Sequence, residues 1–179
     1  MKKLLIIASS AIAVVTLQGC ATSATVQGMT AQNTIKSTNL REQVAVAPVS
    51  GGKSTNPLWV SQVASADFEA ALIASLKSAD LLSPQSNAPL VLKAELISLA
   101  QPMFGLDMTV TARVHYTVAN TQGKIVFDEF VETPHTTKMG EAFIGTKRLQ
   151  KANEGSIRDN IESLIRKLEA IGVQKLSLQ

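Results

Sequence analysis

The sequence predicts an α+β domain of two layers in the order β-α-β-β-β-α, a mostly antiparallel sheet with two helices on one face. Two stretches alternate apolar and polar residues, Leu90–Leu96 and Met108–Val118, as half-buried strands do. Two others repeat apolar residues every three or four positions, as amphipathic helices do. The chain has 179 residues, of which 45% are apolar and 17% charged. That is enough hydrocarbon for one core and too little charge for a disordered polyelectrolyte.

The folded part is expected at 41–179 as a single domain. It opens with the β run Val44-Ala45-Val46-Ala47-Pro48-Val49, stopped by Ser50-Gly51-Gly52, and Pro48 favours a sheet edge. Asn56-Pro57 then supplies a helix start. Val60, Ala64, Phe68, Ala71, Leu72, Ser75, Leu76 and Ala79 trace one helical face, which ends near Asp80. The two alternating strands follow, with Lys93, Glu95, Thr109, Thr111, Arg113, His115 and Thr117 directed to the face that no helix covers. Asn120-Thr121-Gln122-Gly123 is a hairpin turn leading into the return strand Lys124–Thr133, with a bulge expected near Asp128-Glu129. Leu149, Ala152, Ile157, Ile161, Leu164, Ile165, Leu168 and Ile171 mark a final helix from about Glu141, stopped by Gly172.

Ahead of the domain, Lys2-Lys3 precede an uncharged stretch from Leu4 to Leu17 that is too short to span a bilayer. With the small residues after it, this is the pattern of a secretion signal, here 1–19. Its removal takes two lysines and leaves 15 basic against 14 acidic residues. No strong basic surplus remains to hold nucleic acid, and aromatic residues are only 4% of the chain.

Leu17-Gln18-Gly19-Cys20 resembles the lipobox of bacterial lipoproteins, in which the thiol of the Cys accepts a diacylglycerol before cleavage. Gln18 stands where Ala or Ser is commoner. The resemblance implies cleavage between Gly19 and Cys20, acylation of Cys20, and two or three acyl chains, which together make a permanent anchor. Ala21 after the Cys, in place of Asp, implies the outer membrane, lipid-anchored on the periplasmic side. Residues 20–40 are then the acylated N-terminus and a flexible tether, being rich in Thr, Ser, Gln and Ala without periodicity. The element order is also similar to that of small outer-membrane assembly and transport lipoproteins, including the one that serves lipopolysaccharide transport. That likeness implies a non-catalytic accessory subunit of an envelope complex, with the bilayer and an envelope protein as partners; the alternative is a carrier of a lipid or other apolar ligand.

Chemistry has little support in the residue pattern. His115 and His135 lack partners at metal-ligand spacing, the only Cys is Cys20, and no Gly-x-Ser-x-Gly elbow occurs, so neither metal, cofactor nor enzymatic activity is expected. Asp128 and Glu129 are neighbours on a strand and face opposite sides, which rules them out as paired carboxylates. Ala47–Ser54 fits a nucleotide loop only loosely, with Ala47 where Gly belongs and Pro57 close behind, so no nucleotide is expected. Lys138, Lys147, Arg148 and Lys151 are the candidate contact with an anionic surface, the ordinary alternative being a solvated face. Glu154, Arg158, Glu162 and Arg166 at four-residue steps suggest exposed helix pairs. The loop Gln101–Leu106 carries Met103 and Phe104, which either reach a partner or bilayer or, as is more usual, fold back over the sheet.

Overall fold

The computed structural model describes residues 21–32, 39–56, 60–85 and 87–176; the expected secretion signal 1–19, with Gly19, and Cys20 and Pro57 lie outside these. Strand β1 (Val44–Val46) runs parallel to β2 (Leu90–Ala100), β2 pairs antiparallel with β3 (Met108–Asn120), and β3 with β4 (Ile125–Thr137). The sheet order β1-β2-β3-β4 makes β1 and β4 the edges, and each carries its proline there or just beyond, Pro48 after β1 and Pro134 within β4. Helix α1 (Val26–Met29) precedes the sheet, α2 (Ser65–Ser78) connects β1 to β2, and α3 (Gly145–Leu176) follows β4. The α+β class and the mostly antiparallel sheet are as the sequence predicts.

A main core fills the space between the helices and the inner sheet face, with a small second cluster of Met108, Val110 and Ala152. Phe68, Leu72 and Leu76 of α2 and Ile157, Ile161, Leu164 and Ile165 of α3 meet Leu92, Ala94, Val114, Tyr116 and Val118. Asn160 of α3 lies within this layer, and its amide donates to the carbonyls of Ala112 and Val131 and to Thr133 Oγ1. One buried side chain therefore ties α3 to both β3 and β4. Gly155 is a point of close approach between α3 and β4, since a Cβ there would overlap the ring of His135. The bare backbone lets His135 Nδ1 come within 2.8 Å of Asp159 Oδ2.

Several expected boundaries move, each for a local reason. The tether is corrected for 21–32: Ala24, Met29 and Ala31 are buried in the core and α1 forms one turn, capped by the Thr25 hydroxyl. Helix α2 starts at Ser65 because the carbonyls of 61–63 serve elsewhere, accepting from Asn153 Nδ2, Ala24 N and Lys53 N. It closes through Asp80 in the left-handed region, with Leu81 N donating to Leu76 O and Asp80 N to Lys77 O. Strand β2 outlasts its alternation because a bulge at Ile97 shifts the register and returns Leu99 to the inner side. The β4 bulge lies at Val126, ahead of Asp128-Glu129, next to the turn where Gly123 takes φ +77°. Helix α3 starts later than Glu141, after a 3₁₀ turn at Met139–Glu141 and extended Ala142, and it runs through Gly172, whose cost inside a helix is only about 1 kcal/mol.

Tyr116 is fully buried at the centre of β3, and its hydroxyl has no hydrogen-bond partner among the described residues. Burial pushes its phenol well above the ordinary tyrosine range. An unpaired buried hydroxyl costs about 1–3 kcal/mol, so Tyr116→Phe is expected to stabilise the domain by about 1 kcal/mol. The check is urea unfolding: a higher midpoint at unchanged slope is expected, and a lower one would mean that the hydroxyl is satisfied.

Candidate functional site

The chain leaves Cys20 and is captured at once by α3. Thr22 Oγ1 donates to Gln150 Oε1 at 2.6 Å, and Gln150 Nε2 donates to Ser23 O at 2.8 Å. The backbone N–H and hydroxyl of Thr25 both reach Glu154 Oε1, at 2.8 and 2.9 Å. Arg158 donates to Gly28 O at 3.0 Å. Gln150, Glu154 and Arg158 succeed one another at four-residue steps on one helix face, which a strip of chain running along the helix can engage in turn. Beyond them Ala31 N donates to Ser75 Oγ, which fastens the strip to α2. Glu154 and Arg158 thus hold the N-terminal segment, whereas Glu162 and Arg166 form the expected helix pair at 3.8 Å.

At the N-terminal end of α3 the supposed basic cluster comes apart. Arg148 is 7% exposed, and its guanidinium donates to Ala142 O and Phe143 O at 2.7 and 2.8 Å. Its charge is turned into the protein, and the anionic-surface role expected of it is corrected. Lys147 Nζ donates to Gln150 Oε1 and Lys151 Nζ to Glu141 O, while both side chains, with Lys138, stay exposed at the surface. The loop 101–107 does not fold back over the sheet. Met103 is 96% exposed and Phe104 86%, and across from them Phe143 is 82% exposed.

The outer sheet face is uncovered, and the residues expected there do point outward. At its centre Phe130 stacks on His115 with centroids 4.3 Å apart, and Arg113 lies 4.9 Å above the same ring. His115 Nε2 is 2.6 Å from Asp128 Oδ1. Asp128 and Glu129 face opposite sides as expected, Glu129 meeting Lys167 of α3 at 2.5 Å.

No family model and no curated protein matches the chain. Its fold is shared with solved structures. A DUF330 protein of Xanthomonas campestris aligns with a TM-score of 0.63 and 11% identity, over 87% of this chain and 98% of that one. A hypothetical protein of Chlamydia trachomatis gives 0.53 and 15%, over 74% and 98%. A candidate lipoprotein of Caulobacter crescentus gives 0.53 and 11%, over 76% and 94%. At such identities the likeness is one of fold.

A shallow polar hollow of about 240 Å³ lies between β4 and α3, lined by His135, Thr137, Glu141, Lys151, Glu154 and Arg158. Its charges are mostly committed to the contacts above, with His135 held by Asp159. The Gly51-Gly52 turn is likewise engaged, Gly52 N donating to Ser65 Oγ and Gly51 lying against Leu96 O. Among the described residues no group of three His, Cys, Asp or Glu is placed to hold a metal, and no helix is long and apolar enough to cross a membrane.

Sequence reasoning missed the strip of contacts after Cys20. The one available signal was Gln150, Glu154 and Arg158 as three hydrogen-bonding side chains in helical register. Glu154→Ala removes the shared acceptor and is expected to cost about 1–2 kcal/mol. It should also open a protease-sensitive site within 21–32, read by limited proteolysis and mass spectrometry; unchanged resistance would count against the strip as a structural part.

Proposed function

We propose that this chain is a bacterial envelope lipoprotein, acylated on Cys20 and held at the outer membrane with its domain on the periplasmic side. The domain serves as a non-catalytic binding subunit of an envelope complex. The observation that carries the reading is the ordered strip from Thr22 to Ala31, which packs into the domain directly after the lipobox Cys. A chain whose first residues beyond Cys20 are part of its core has its anchor built into the body, so the domain is held at the bilayer surface at a fixed reach. Confinement of this kind raises the effective concentration of the domain toward other envelope proteins, so a weak contact suffices. The shared fold with a candidate lipoprotein of Caulobacter crescentus supports the same reading. The carrier reading has less support, since the space between helices and sheet is filled by Phe68, Tyr116, Leu72, Ile157 and Ile161.

Cys20→Ser is the test. The variant is expected to unfold at the same temperature as the natural chain, to lose incorporation of a tagged fatty acid, and to move from the membrane to the soluble fraction. Unchanged fractionation with unchanged labelling would overturn the proposal.

A further inference from the structure

The end of the domain where α3 begins carries six exposed apolar side chains on two loops. Met103, Phe104 and Leu106 stand on the β2–β3 loop, and Met139, Phe143 and Ile144 on the β4–α3 connection. Single exposed apolar residues are ordinary, but six large ones gathered at one tip are not. The loops are also braced in this arrangement. Met139 N donates to Asp107 Oδ1 and joins one loop to the other, and Lys138 N donates to Glu141 Oε1. Arg148 holds the carbonyls of Ala142 and Phe143, and Lys151 that of Glu141. Several backbone groups of the connection are thus bonded to side chains, those of Ala142 and Phe143 to the buried Arg148, while its apolar side chains are held outward.

The course of the N-terminal strip identifies what lies beyond the tip. Thr22 meets Gln150, Thr25 meets Glu154 and Gly28 meets Arg158, so the strip and α3 run in the same direction. Followed backwards from Thr22, the strip leads toward the first turn of α3. Cys20 is two residues from Thr22, a reach of at most about 7 Å. Ile144 is six helical positions before Gln150, about 9 Å along the axis. Thr22, with Cys20 two residues before it in the chain, therefore lies toward the same end of the domain as the apolar tip, where Lys138, Lys147 and Lys151 are exposed.

Given that Cys20 is acylated, we propose that this tip dips into the same leaflet that holds the acyl chains. Phe143, Ile144, Met103, Phe104 and Leu106 enter the boundary between headgroups and hydrocarbon, and the three lysines meet lipid phosphates. The strands of β2, β3 and β4 all end at the tip, so the domain stands upright on the membrane, its bare sheet face turned sideways toward neighbours and its β3–β4 turn directed away.

The test uses the full acylated chain in vesicles of phosphatidylethanolamine with a minor share of phosphatidylglycerol. Cys20 is the only Cys, and acylation turns its thiol into a thioether, so Phe143→Cys provides a single reactive position for an environment-sensitive fluorophore. Gln122→Cys, in the turn at the other end of strands about 40 Å long, is the control. Lipids carrying a nitroxide on the acyl chain are expected to quench the probe at 143 at least about twofold more than that at 122, as insertion to a depth of some 5–10 Å requires. Equal quenching at both positions, in a chain that carries fatty acid and floats with the vesicles, overturns the tip contact and leaves the anchor standing. A chain without fatty acid overturns the anchor, and this proposal with it. A blue-shifted probe at 143 that nitroxide lipids do not quench assigns the tip to contacts between copies and also overturns it. Phe104→Cys, on the other loop, repeats the measurement if Phe143→Cys does not fold.

Discussion

The structure depends on α3 being a helix with work on two sides. One side carries Ile157, Ile161, Leu164 and Leu168 into the sheet, with Asn160 among them bonded to β3 and β4. Another carries Gln150, Glu154 and Arg158, which hold the strip after Cys20. A four-stranded sheet with one open face buries too little by itself, and the long helix, together with α2, closes its inner side. Because that same helix receives residues 22–28, the position of the sheet relative to the N-terminal strip is set by one rigid element.

Most of the fold was legible because sheet strands with one wet face repeat every second residue and core helices every third or fourth, and β2, β3, α2 and α3 show these periods plainly. What escaped was structure without a period. Residues 21–31 are mostly small, with only Val26 and Met29 as larger apolar side chains, and they acquire their place through partners up to 130 positions away, which no local pattern encodes. Arg148 looks like any surface charge until the carbonyls of Ala142 and Phe143 are seen to need it. Bulges at Ile97 and Val126 shift the phase of a strand by one residue, and a reading that relies on alternation ends or misplaces them. Of the candidate site, Cys20 lies outside the described residues, and the tip was visible only as an apolar loop whose direction the sequence left undecided.

The open sheet face and the tip solve the problem of exposed surface in different ways. On the sheet, Phe130 is contacted by Arg113 and His115, each such contact contributing about 0.5–1 kcal/mol at an exposed site, so polar groups share the surface around the ring. At the tip, Phe143 and Phe104 have no such cover. The contrast separates a surface suited to water and reversible contact from one suited to a hydrocarbon boundary.

Strand β4, 13 residues long, lies at an unprotected margin of the sheet. Molecules gathered in two dimensions collide far more often than the same number dispersed in a volume, and a long free margin invites them to zip together into fibrils. Pro134 lacks the amide hydrogen that such zipping needs, and the carboxylates of Asp128 and Glu132 repeat along the same strand, so like would repel like. A proline in the last strand is thus a safeguard that matters most to a crowd.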